Sequence, residues 1–295
     1  MRIVEPKVEV IPQGEGLTGI FRQIEICGRT CYKSEIKEAG AEPFVRRMIK
    51  NEHFAMLEHG TVYLHVNFDS DFIGQSEMVN RYNANPYSKV IKKGDDYYIT
   101  TNYRVIVENG WYYDMDYRCE LTEWHEKRVT VKFYTQIAVS REANRHRVDS
   151  IAEQSTRYCN YSKDKFGHEL SVSKPQWIGD NINDEEYNES VFYSMMSSFL
   201  DYRRWNPVQK WWFANKVCEK MYMSMIEEDG ALPQEARAIL PLDTSTELVH
   251  TAFVSDWKHF FDLRFKGTTG TPHPDIKCLA KELFDMFLEE GIIGK

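Results

Sequence analysis

Two hydrophobic rhythms follow one another along this chain, and their order limits the fold more than any single motif does. Alternation of apolar and polar residues, the mark of a half-buried strand, comes early, in Lys7 to Ile11 and Val129 to Phe133, with the β-branched and aromatic run Thr61 to Phe68 between them. Helical segments are expected at Leu17 to Cys27, at Glu42 to Lys50 and at about Thr135 to Asn144, and the second half reads as mostly helical. From Val208 to Glu228, the residues Trp211, Ala214, Cys218, Met221 and Met225 recur every three or four positions and predict one apolar stripe. A last helix is expected after an N-cap at Asp275. Its core face would be Ile276, Leu279, Ala280, Leu283, Phe284 and Phe287, and Gly291 would end it. Strands first and helices later imply an α+β architecture. No G-x-G-x-x-G follows a strand, so a dinucleotide-binding Rossmann fold has no support.

The stretch from about 70 to 127 has a different texture, polar and tyrosine-rich. Turn signals at Asn85-Pro86, Gly94-Asp95 and Asn109-Gly110 bracket a segment, 97 to 107, that reads as a strand of a small hairpin. We read this region as an insertion folded onto the main body. The 17 Tyr, 16 Phe and 7 Trp are enough to fill a sizeable core.

Composition also narrows the setting. The six cysteines include no C-x-x-C pair, so reduced thiols and a cytoplasmic location are expected. The first residues lack an apolar signal core, and no run of about eighteen apolar residues predicts a membrane span. A formal charge of -8 argues against a nucleic-acid binder, so any anionic ligand must be caught by a local cluster of cations.

That cluster is Arg145-His146-Arg147-Val148-Asp149-Ser150-Ile151-Ala152-Glu153-Gln154-Ser155-Thr156-Arg157-Tyr158. Guanidinium forks suit phosphates and the carbonyl edges of a base or flavin, and a Ser-Thr-Arg turn can cradle a phosphate with its backbone N–H groups. A solvated surface turn is the plainer alternative for such a charge run. A nucleophilic Ser155 served by His146 is a further alternative, but a nucleophile needs a base within reach and nothing in the spacing demands it. His53 and His59 lack a third ligand at suitable spacing, so no metal is expected. An arginine-rich turn that merely grips a nucleotide or RNA is the rival from another class.

Arg-His-Arg, seven residues and Ser, here Arg145, His146, Arg147 and Ser155, resembles the signature of the flavin-dependent thymidylate synthases. The likeness extends to Ser140-Arg141 and to Glu153, Arg157, Tyr158 and Ser162. Arg29-Thr30-Cys31-Tyr32, His53 through Glu58-His59, Ala236 to Leu242 and Phe260 to Arg264 resemble further segments of that family, in the same order. Departures are Glu142 for a usual Gln, Cys31 for Ser, Thr156 for Gly, and the loss of an Asn-x-Arg around Phe253 to Ser255.

The resemblance implies one domain over 1–295 carrying the 70–127 insertion. It also implies a mixed sheet, a mostly helical C-terminal half, and sites formed between subunits of a homotetramer. It implies reductive methylation of dUMP to dTMP, with methylenetetrahydrofolate as carbon donor and NADPH-reduced FAD as hydride source. By this likeness His53, Ala55, Arg145, His146, Arg147, Glu153 and His259 face FAD. Glu142, Arg145, Glu153, Gln154, Ser155, Thr156, Arg157 and Arg264 face dUMP, with Arg237 supplied by a neighbouring subunit. Arg264 is the implied catalytic residue, stabilising charge on the pyrimidine.

Overall fold

The computed structural model of the chain describes residues 1–36, 40–67, 73–182 and 186–294. In chain order its elements are β1 (Arg2–Val4), β2 (Lys7–Ile11), α1 (Gly16–Thr30), α2 (Glu42–Lys50), β3 (Thr61–Asn67), α3 (Ile73–Ala84), β4 (Lys89–Lys93), β5 (Asp96–Asn102), α4 (Tyr103–Asn109), β6 (Arg118–Cys119), β7 (Arg128–Gln136) and α5 (Ile137–Ala143). They continue as β8 (Ser150–Glu153), β9 (Ser171–Ser173), α6 (Glu189–Ser197), α7 (Pro207–Glu227), α8 (Pro233–Ala236), β10 (Ser245–Phe253), α9 (Val254–Phe261) and α10 (Pro274–Glu289). A 3-10 turn over Phe54–His59 leads into β3, and a π-turn over Asp262–Lys266 follows α9.

The α+β class holds, and the expected mixed sheet resolves into separate pieces. One four-stranded sheet runs β2-β7-β10-β8 and another runs β4-β5-β3-β6; every pairing within them is antiparallel. Among the described residues, parallel pairing is confined to the short ribbon β1-β9. The first sheet is the frame of the site. Val129, Val131 and Phe133 of β7 and Leu248 and Ala252 of β10 point to one face, where Trp257, Phe260 and Phe261 of α9 and Leu279, Leu283 and Phe287 of α10 close a core. The alternation of these strands requires that the next residues face the other way. There Val249 and Ala152 meet Cys27 of α1.

The strand at Ser245–Phe253 is the main correction to the sequence reading, which held the second half to be mostly helical. β10 pairs along the whole of β7, and also holds β8, so it is central to the sheet. Its burial on both faces erases the alternation by which a strand is recognised. β8, inside the arginine-rich segment, was likewise unforeseen. β7 runs to Gln136 rather than Phe133, because Thr135 and Gln136 continue the pairing with Thr246 and Ser245; the following helix accordingly starts at Ile137.

In the second sheet, β5 ends at Asn102, and 103–107 is helix where a strand was expected. The Asn102 side chain accepts from the Val105 N–H at 3.2 Å, and that cap outweighs the β preference of Val-Ile-Val. Phe68 and residues 70–72, placed by the sequence reading in a strand and in the insertion, lie outside the described residues.

The stripe on α7 also falls elsewhere. Trp212, Phe213, Asn215, Lys216, Glu219 and Tyr222 are buried, whereas Ala214 and Met221 are exposed. Lys216 bonds Glu219 at 2.5 Å and Glu189 at 2.8 Å, so two charged residues occupy the inner face as a paired unit. The last helix begins after His273, whose ring nitrogen accepts from the Asp275 N–H at 3.3 Å. Asp275 instead turns inward and accepts from Gln136 at 3.0 Å and the Gln176 N–H at 2.7 Å. Gly291, at φ 66°, ends the helix as expected, with Ile292 N–H bonded to Phe287 C=O at 2.9 Å.

Candidate active site

The candidate site is organised around α5, the seven-residue helix between β7 and the arginine-rich turn. On one side of it the π-turn brings Arg264 against the helix end. Arg264 Nη2 donates to Glu142 C=O at 2.8 Å, its Nη1 lies 3.5 Å from Glu142 Oε2, and its Nε donates to His146 Nε2 at 3.2 Å. These bonds fix a guanidinium that is only 15% exposed. His146 is buried against the Phe260 ring at 4.9 Å, with the exposed His259 6.0 Å away. Burial, reinforced by Arg264, pushes the imidazole down from its ordinary 6.5 to about 4. A neutral His146 agrees with its accepting from Arg264. An open pocket of about 500 Å³ beside them is lined by Glu142, Arg145, Arg264 and the 269–273 loop.

On the other side of α5, Arg141, Thr156, Arg237 and the Ala238–Leu242 segment line a second open pocket of about 540 Å³. Arg237 Nη1 donates to Thr156 Oγ1 at 3.4 Å within one chain, so this chain's own Arg237 reaches the motif that a neighbour's was expected to complete. The exposed Arg157 has its guanidinium over the Tyr158 ring at 5.3 Å.

Glu153 closes β8 and is clamped back onto α5. It accepts from Ser140 Oγ at 2.6 Å and from Asn144 Nδ2 at 2.9 Å. Ser155 N–H donates to Cys31 C=O at 2.9 Å, and its hydroxyl accepts from the Arg157 N–H at 3.3 Å. No histidine is bonded to it among the described residues, so the serine-nucleophile alternative gains nothing. Gln154 departs from its neighbours. It is buried, lies 3.5 Å from the Tyr161 hydroxyl, and lines a separate pocket with Lys33 and Lys165.

His53 and Ala55 are exposed on the 3-10 turn. Met56 of that turn reaches Cys31, which places the turn at the edge of the motif. Where the sequence lacks Asn-x-Arg, Lys89 of β4 covers the ground. Lys89 Nζ sits over the Phe253 ring at 4.3 Å and bonds Ser255, whose N–H donates to Glu126 at 3.1 Å. This stretch offers a ligand no free cation.

The electrostatics of the site are one-sided. Among the described residues, Arg141, Arg145, Arg147, Arg157 and Arg237 have no carboxylate within 4.0 Å. Arg141 and Arg237 line one of the two pockets beside α5 and Arg145 the other, so guanidiniums without a carboxylate partner face both, in a chain of net charge -8. The set suits a phosphate-bearing nucleotide and a dinucleotide cofactor, except at 253–255.

Sequence reasoning missed three residues that hold this arrangement: Asn144, Asp149 as a buried partner, and His250. Asn144 and Asp149 lay inside or beside the motif without a recognisable role. Recognising His250 required knowing that β10 runs beside β8.

The probable flavin-dependent thymidylate synthase of Paramecium bursaria Chlorella virus 1 is 34% identical over 82 residues, covering 26% of this chain and 37% of that protein. The flavin-dependent thymidylate synthase of Synechocystis is 27% identical over 160 residues, covering 53% of this chain and 65% of its own length. The chain thus spans between about a third and two thirds of the curated relatives it matches. A crystal structure of the UMP/dUMP methylase PolB from Streptomyces cacaoi aligns at a TM-score of 0.42 and 13% identity, covering 98% of this chain and 93% of that one. That likeness is too remote to argue from. The family model described as thymidylate synthase complementing protein matches residues 124–290, more than half of the chain and both pockets beside α5. The chain therefore belongs to the thymidylate synthase complementing protein family, the flavin-dependent thymidylate synthases.

Proposed function

We propose that this protein methylates dUMP to dTMP, taking the carbon from methylenetetrahydrofolate and the hydride from FAD that NADPH has reduced. The observation that carries the reading is that Arg141, Arg145 and Arg237, none with a carboxylate partner, line the two pockets beside α5. When bound, reduced FAD supplies the hydride; the protein supplies position and field. Arg157, Thr156, Ser155 and Arg237 hold the nucleotide phosphate, with Gln154 behind them. Arg145, His146, Arg147 and Glu153 hold the flavin, with His53, Ala55 and His259 at its margin. Glu142 and Arg145 are shared with the nucleotide. Arg264, immobilised by Glu142 and His146, faces the pyrimidine, where a fixed cation stabilises negative charge as it develops.

The active assembly in this reading is a cytoplasmic homotetramer whose sites lie between chains. The 70–127 segment is an insertion into one domain spanning 1–295. Among the described residues no helix is long and apolar enough to cross a membrane.

The test is the visible absorbance spectrum of the purified protein, followed by dUMP-dependent oxidation of NADPH in the presence of methylenetetrahydrofolate. Flavin bands and stoichiometric dTMP are expected. A colourless protein that takes up no FAD, or flavin oxidation without dTMP, overturns the reading.

A further inference from the structure

Behind Glu153 runs a line of polar groups that this reading leaves unused. Asp149 Oδ2 lies 2.8 Å from His250 Nδ1, and His250 Nε2 lies 3.3 Å from Asn144 Oδ1. Asn144 Nδ2 in turn lies 2.9 Å from Glu153 Oε2. His250 is fully buried on β10, its ring edge-on to Phe133 at 5.9 Å and tilted against Trp257 at 6.4 Å; Asp149 is buried too. Among the described residues, His146 and, across the sheet, His59 feel His250; His146, Arg128 and Asp256 feel Asp149; and Cys31 feels Glu153.

Counting donors decides how such a line can be protonated. A carboxylate only accepts, so Asp149 requires a hydrogen on Nδ1. Ser140 and Thr246 serve Glu153 Oε1, so while Glu153 is ionised its Oε2 takes the NH2 of Asn144, which turns the amide oxygen to His250 and calls for a second hydrogen, on Nε2. The ring is then an imidazolium, balanced by buried Asp149. Were Glu153 protonated, its O–H would donate to the amide oxygen. The amide would turn over, and a neutral His250 would accept from its NH2. In any other combination the amide turns a like group towards Glu153 or leaves the buried His250 Nε2 unpaired, and an unpaired buried group costs about 1–3 kcal/mol.

We propose that Asn144 couples the charge of Glu153 to that of His250, so that the glutamate is presented to the ligands as a carboxylate only while His250 is an imidazolium. Asn144 and His250 are thus positioning residues, acting on the site through Glu153. The functional meaning rests on the reading that Glu153 borders the ligands; the coupling itself does not.

The experiment uses the full-length, ligand-free protein carrying 15N-histidine, with ring-nitrogen spectra recorded at neutral pH and the His250 signals assigned by their loss in His250→Gln. Wild type is expected to show both His250 nitrogens in imidazolium positions. In Glu153→Gln, which keeps the shape but removes the charge, His250 is expected to move to the neutral pattern. Asn144→Leu, which deletes the coupler, is expected to do the same and serves if Glu153→Gln does not fold. A neutral His250 in wild type, or an imidazolium unmoved by both substitutions, overturns the proposal. Because neither ligand nor turnover enters the measurement, a failure of the synthase reading would show separately, as absence of flavin and of dTMP.

Discussion

At the scale of single residues, the roles assigned to the arginines differ in what their removal should do. Arg264 is held by three contacts, so its charge is preorganised rather than free to wander. Arg264→Ala is expected to lower single-turnover dTMP formation about a hundred- to a thousand-fold, with pre-reduced flavin and saturating dUMP. Lysine should rescue poorly, because it lacks the planar fork. A near-normal rate would return Arg264 to a packing role. Arg157 is exposed and unpaired. Arg157→Ala should weaken dUMP binding roughly ten- to a hundred-fold while FAD is retained, as expected for a charge-assisted bond worth about 1.5–3 kcal/mol. Equal loss of both ligands, measured by titration, would mark it as structural. His146 predicts a pH effect on stability. Its native value, near 4, is below its ordinary 6.5, so in that interval the unfolded chain binds the proton more readily. Stability should therefore be full above about pH 6.5 and fall as the pH drops towards 4. Urea midpoints of wild type and His146→Gln at neutral and mildly acidic pH will check it; a parallel acid loss in both would remove His146 as a cause.

At the scale of elements, short polar caps decide what local propensity leaves open. Asn102 turns a β-prone segment into α4, so Asn102→Ala is expected to cost about 1 kcal/mol. The denaturation midpoint should fall while its slope is unchanged, and Asn102→Asp should restore most of it. An unmoved midpoint would mean that packing of Ile106 and Val105 alone forms the helix. Element boundaries that turned out displaced have a common cause. Thr135 and Gln136 stay in β7 because a partner strand is present to pair with them, and α7 buries Lys216 because Glu219 and Glu189 neutralise it. In each case the deciding group lies far away in the chain, or on the face that an apolar pattern does not record.

At the scale of the whole molecule, one helical arm carries several exposed apolar side chains. Leu200 is 95% exposed, and Tyr193, Met196 and Phe199 are each about half exposed or more along the same helical arm. Exposed apolar ground of this kind suits the association surface that the proposed tetramer requires. Light scattering is expected to give four chains per particle. Leu200→Asp should lower that number without unfolding the chain, read by circular dichroism. A fully active monomer would contradict shared sites.

The residue pattern by itself determined the cluster of cations at 145–158, the α+β class, most of the early elements and the core face of the last helix. Those are local properties: spacing, caps and a cluster of like charges are written in neighbouring positions. Only the tertiary structure decided that β10 lies between β7 and β8, that Arg264 and His146 hold one another across 118 positions, and that Lys89 covers Phe253. It also brought His250 within reach of Asn144 and Asp149. A strand buried on both faces has no alternation to read, and a side chain gains a hydrogen-bond partner through sheet register, which is set by pairing and not by sequence distance.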